Sequence, residues 1–134
     1  MKAQKIIAAV LTKVKEELQK HSDPLSQPLS PDHAENVANV LLSAMLSAGA
    51  AGFKTYLEQN ETRENTVIHN GASYQFNRTS EKEYQTPLGK TVVKRRLYQN
   101  TNGDSFVPLD HAWNMEHQFA TIEVREAILV DILS

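Results

Sequence analysis

Apolar positions recur at helical spacing through the first part of the chain and at a spacing of two through its middle, with the change near residue 60. Ile6, Ile7, Val10, Leu11, Val14 and Leu18 fall along one side of a helix, leaving Lys5, Lys13, Glu16, Glu17 and Lys20 for the wet side. A helix over residues 3–20 follows. The apolar run at 6–11 is too short for a signal peptide and meets Lys13, Lys15, Glu16 and Glu17 where a cleavage site should lie. Pro24 and Pro28, set among serines, make residues 21–29 a linker. Ser30-Pro31-Asp32 starts a second helix. The serine caps orphan amides, the proline suits the first helical position and Asp32 complements the positive dipole end.

That second helix is predicted to run over residues 31–58, and its middle, 37–53, is apolar almost all round. It meets charge at Lys54 before reaching the roughly 20 apolar residues of a membrane span, and no membrane association is expected. Two uses remain open: a core helix wrapped by the first helix and a sheet, or a helix with one face kept for a second copy. In the second case Ala44, Ala48, Ala51 and Gly52, small residues three and four apart, would form the interface of a homodimer.

From residue 66 the period is two. Asn70-Gly71 between two strand-like runs is a hairpin signal, and Pro87-Leu88-Gly89 and residues 100–104 are further turns. Strands are predicted at 66–69, 73–86, 91–99 and 106–107. A last helix over 121–133 is capped by Thr121. The expected class is α+β: two amino-terminal helices, an antiparallel meander of three or four strands and a carboxy-terminal helix. All belong to one domain, with a helical part at 1–60, a sheet at 64–110 and a helical segment at 111–134.

Composition narrows the function. The chain has 134 residues, a net charge of −2 and no cysteine; a cysteine-based zinc site is impossible and a reducing cytoplasm fits. Charge is segregated. Residues 78–96 hold Arg78, Lys82, Lys90, Lys94, Arg95 and Arg96 against Glu81 and Glu83, whereas 104–134 hold six acids against Arg125. None of the five histidines is spaced to put two imidazoles on one helix face, and the chain has neither a phosphate-binding glycine loop nor a nucleophile elbow. Asp110 is expected to cap the turn that follows it. No catalytic residue, metal, cofactor or small-molecule substrate is expected.

The best functional candidate is the strand at 91–99. Alternation places Val93, Arg95 and Leu97 on one face and Lys94, Arg96 and Tyr98 on the other, and Tyr74, Phe76 and Arg78 share a face of the neighbouring strand. Arg78, Lys94, Arg96 and Tyr98 would then form a cationic and aromatic surface suited to phosphates and bases. The plainer reading is an outer strand kept soluble by its charges.

Tyr84, Thr86 and Gly89, then Val93, Arg95 and Tyr98, then Pro108, Leu109 and Asp110 stand in an order and spacing that resembles the amino-terminal region of bacterial insertion-sequence transposases of the ISKra type. The resemblance covers about half the chain. It implies a non-catalytic region that handles DNA or helps the protein pair with itself, because the acidic catalytic residues of that family lie well downstream. The chain departs from the pattern in the loop before Pro108, where zinc-ribbon-like cysteine pairs are common and none is present here. The alternative expectation is an interaction or oligomerisation module without a nucleic-acid role.

Overall fold

A computed structural model describes residues 2–115. The protein is α+β, with helices α1 (Lys2–Lys20), α2 (Ser22–Leu25) and α3 (Pro31–Gln59), strands β1 (Thr66–His69), β2 (Ala72–Thr86), β3 (Gly89–Gln99) and β4 (Ser105–Phe106), and a short helix α4 (Pro108–Ala112). The predicted helix at 121–133 lies outside the described residues. The chain divides into two compact units, one ending at Tyr56 and the other beginning at Leu57.

The first unit is a helical hairpin. Ser30 caps α3 as its sequence implies, its Oγ accepting from the His33 amide at 3.2 Å. One correction concerns the linker at 21–29, which contains a single helical turn, α2. Pro24 fits there because the first turn of a helix has no use for its missing N–H. Along α3, Val40, Ala44, Ala48 and Gly52 are buried at every fourth position, and Gly52 packs so closely against Ile6 and Val10 of α1 that an added Cβ would lie 2.6 Å from Val10 Cγ2.

The second unit is a four-stranded antiparallel sheet in the order β1-β2-β3-β4. Asn70 and Gly71 both have positive φ (51° and 78°), the type I′ geometry that matches strand twist. At the second turn Thr86 Oγ1 accepts from the Leu88 amide and donates to the Gly89 carbonyl. The third turn is held by Asn100, whose Oδ1 accepts from the amides of Asn102 and Asp104. Opposite Tyr98 and Leu97 the register slips, Phe76 pairing with Tyr98 and Arg78 with Leu97, so that Asn77 is a bulge. Tyr84, Val93 and Tyr98 are completely buried. Phe106 of β4 stacks on His69 of β1 with ring centroids 4.0 Å apart, so the sheet curls until its two edge strands meet through side chains.

Candidate functional site

The bulge at Asn77 separates residues that uninterrupted alternation groups together. Phe76 shares a face with Tyr98 and Arg96, whereas Arg78 pairs with Leu97 and so lies on the opposite face, beside Arg95 and Val93. Lys94 is exposed and sits directly across from Glu81; nearby, Lys90 pairs with Glu83 at 3.9 Å. Of the four residues predicted to contact nucleic acid, Arg96 and Tyr98 are brought together, Lys94 is on their face further along the strand, and Arg78 is on the other side.

Arg96 and Tyr98 are not open to solvent as the alternation suggested. The segment between α3 and β1 passes over them like a strap. The Glu61 carboxylate accepts from the Arg96 main-chain amide at 2.8 Å, Arg96 Nη1 donates to the Thr62 carbonyl at 3.2 Å, and the Tyr98 hydroxyl donates to the Glu64 carbonyl. The Arg96 guanidinium lies 4.0 Å from the centre of the Phe76 ring and 5.5 Å from that of Tyr98, a cation–π arrangement. Burial raises the Glu61 carboxyl above the ordinary carboxylate range despite the hydrogen bonds it accepts from Arg96 and Thr62. Burial likewise raises the Tyr98 hydroxyl.

On the other face Asp110 is the centre. It does not cap a following turn as expected: it lies in the first turn of α4, is 2% exposed, and its carboxylate accepts from the Tyr84 hydroxyl and from Arg95 Nη1. Lys82 is half-buried with Nζ 3.7 Å from Asp110 Oδ2. Trp113 meets the Tyr84 ring edge-on at 5.0 Å. Burial, then the hydrogen bond to Asp110, raises the Tyr84 hydroxyl far above its ordinary value, so it remains a neutral donor. Arg95 among Val93 and Leu97 was the available signal for this network. A guanidinium on an apolar strand face implies a buried partner, but the sequence does not say which acid reaches it.

The predicted interface residues of α3 are also placed. Ala44, Ala48 and Gly52 are buried within the hairpin, and Ala51 is half-buried beside them. The correction is that Gly52 meets the chain's own α1 and leaves no room there for a second backbone. What stays exposed on α3 is a different stripe, Leu42, Met45 and Leu46, with Tyr56 further along the helix stacked on the half-buried Phe53. Ile7 and Leu11 of α1 are exposed as well. No group of three or more metal-ligating side chains occurs among the described residues. No family model, curated protein or solved structure matches the chain.

Proposed function

We propose that this protein is a non-catalytic self-association module, in which the α1–α3 hairpin completes its core against the same hairpin of a second copy. The observation that carries this reading is the pair of stripes on α3. The inward stripe is made of Val40, Ala44, Ala48 and Gly52, which bury little area, and α1 has no fully buried residue. The outward stripe has the larger side chains: Leu42 is 59% and Met45 52% exposed. Fully burying one such side chain is worth ~1.5–3 kcal/mol, so most of the available apolar stabilisation of this unit lies on the uncovered side. Two hairpins joined along that stripe make a four-helix bundle, the usual way to bury helices with two apolar faces. By length and composition α3 could also cross a membrane.

A DNA-contacting role draws less support from the arrangement. Arg95 and Lys82 are turned to Asp110, Arg96 to the strap, and Lys94 faces Glu81. Sedimentation velocity from low to high micromolar concentration tests the proposal: a reversible monomer–dimer equilibrium is expected. Leu42→Glu with Met45→Glu should leave a monomer whose sheet unit stays folded, judged by Trp113 fluorescence. A wild-type monomer at all concentrations, or a chain that floats with lipid vesicles instead of pairing, overturns it.

A further inference from the structure

The ribbon of β2 and β3 is longer than the strands that flank it. β1 pairs with β2 only at residues 72–75 and β4 pairs with β3 only at Tyr98 and Gln99, so the far part of the ribbon has no neighbouring strand among the described residues. Arg96 fixes which backbone groups line the β3 edge. Its amide donates to the Glu61 carboxylate and so points away from β2, and in an antiparallel ladder the N–H and C=O of every second residue point to the same edge. Lys94, Val92 and Lys90 therefore turn their N–H and C=O groups outward, where no backbone partner meets them among the described residues. Glu61 closes the row at Arg96. The other three residues are exposed, Val92 by 45%, and an edge of this kind is a template for a further strand.

Side chains decide which strand fits. Lys90, Val92 and Lys94 share one face of β3, a valine between two cations. Lysines on an edge ordinarily discourage pairing, and here they discourage a second copy of this chain. Pairing β3 with itself about Val92 sets Lys90 opposite Lys94 twice, whereas the edge of β2, with Glu81 and Glu83 two residues apart, either sets a carboxylate against Val92 or leaves a lysine without one. The ribbon's own acids do not cancel the preference. Lys94 sits across from Glu81 and Lys90 pairs with the exposed Glu83, but exposed pairs contribute little. An added strand lies about 5 Å from the lysines and about 10 Å from the glutamates, about a Debye length at 0.1 M salt. We propose that the β3 edge from Lys90 to Lys94 is a docking site for an extended peptide segment of a partner protein, added antiparallel to β3 and carrying acidic residues two positions either side of an apolar one. The backbone ladder supplies affinity, and the alternation of acid, apolar residue and acid supplies the choice of partner. Every residue of the site belongs to the sheet unit, so the inference stands apart from self-association.

Fluorescence anisotropy with labelled, end-capped peptides tests it. Thr-Glu-Thr-Val-Thr-Glu-Thr should bind at least about tenfold more tightly than Thr-Lys-Thr-Val-Thr-Lys-Thr, the difference expected from two opposed charge pairs. N-methylation of the peptide's valine, whose N–H faces Val92, should abolish binding, whereas N-methylation of the threonine after it, whose N–H points away from β3, should not. Lys90→Gln with Lys94→Gln should bring the two peptides to equal affinity. Should that variant not fold, amide exchange in the wild-type protein decides: saturating acidic peptide should slow the Val92 and Lys94 amides and leave those of Glu81 and Glu83, on the opposite edge, unchanged. No binding of the acidic peptide at millimolar concentration, equal binding of both peptides to the wild-type protein, indifference to the position of the methyl group, or Val92 and Lys94 amides that slow with protein concentration alone overturns the proposal.

Discussion

Asp110 shows how one carboxylate organises the sheet unit. Taking a carboxylate out of water is costly, and the cost is offset here by Tyr84, Arg95 and Lys82 converging on it. Removing one member exposes the imbalance. Asp110→Asn keeps the shape but leaves the largely buried Arg95 without counter-charge, and should destabilise by ~3–5 kcal/mol in urea unfolding. Tyr84→Phe leaves one carboxylate oxygen short of a donor and should cost ~1–3 kcal/mol. Because both touch the same group, the double variant should lose less than the two losses combined; additive losses would mean that the network does not act as a unit. Glu61 supplies a pH-dependent counterpart. Its folded-state pKa lies above the unfolded value, so within that window the folded protein holds a proton that the unfolded chain has released. Stability attributable to Glu61 is therefore greatest below the unfolded pKa and falls as pH rises through the folded one. The stability of Glu61→Gln relative to wild type should increase between about pH 4 and about pH 7; a pH-independent difference from denaturant titrations would remove burial as the cause.

At the level of elements, the signals that could be read were local ones. The Asn70-Gly71 hairpin, the Ser30 cap and the Asn100 turn each rest on a residue whose own side chain or φ preference makes the structure. The bulge at Asn77 has no such mark, and without it the parity of β2 puts Arg78 on the wrong face. The strap over Arg96 and Tyr98 depends on a path across the sheet between residues about 34 apart in sequence, and a strand pattern cannot report what crosses it. The residues that carry the transposase resemblance prove to be mostly interior: Tyr84, Thr86, Val93, Tyr98, Leu109 and Asp110 are all buried. They were legible as a pattern, but their work in this fold is packing and hydrogen bonding. On α3, small residues were read as permitting close approach with the partner left open between α1 and a second copy, since spacing alone does not distinguish the two; Gly52 meets α1. Gly52 tests that assignment. Gly52→Ala gains up to ~1 kcal/mol of helix propensity but drives a methyl against Val10, whose β-branched side chain is stiff in a helix. Overpacking costs ~1–3 kcal/mol, so the substitution should destabilise. In a Val10→Ala background the clash is gone and the same change should stabilise; a stabilising effect in both backgrounds would mean that the two helices do not meet at this point.

At the scale of the whole molecule, the two units draw their stability from different sources. The sheet unit closes a core of its own around Tyr84, Val93, Tyr98, Phe106 and Leu109, and small domains with such a core unfold as one cooperative step. Among its described residues the hairpin unit buries only Val40, Ala44 and Ala48 of its apolar side chains, and helices of this kind owe most of their stability to tertiary packing. If a second copy supplies that packing, the hairpin's stability must depend on protein concentration by mass action, while the sheet's need not. The molecule has built-in probes for the distinction. Its single tryptophan, Trp113, rests on Tyr84 in the sheet unit, whereas α1 and α3 contribute nearly all the helix among the described residues. Thermal unfolding followed by helical circular dichroism should therefore shift upward over a hundred-fold increase in concentration, and unfolding followed by Trp113 fluorescence should stay within about a degree. Replacing Leu42 and Met45 with glutamate should flatten the first dependence and leave the second unchanged. Coincident, concentration-independent transitions by both probes would instead mean one cooperative monomer, with the exposed stripe of α3 serving some purpose other than pairing.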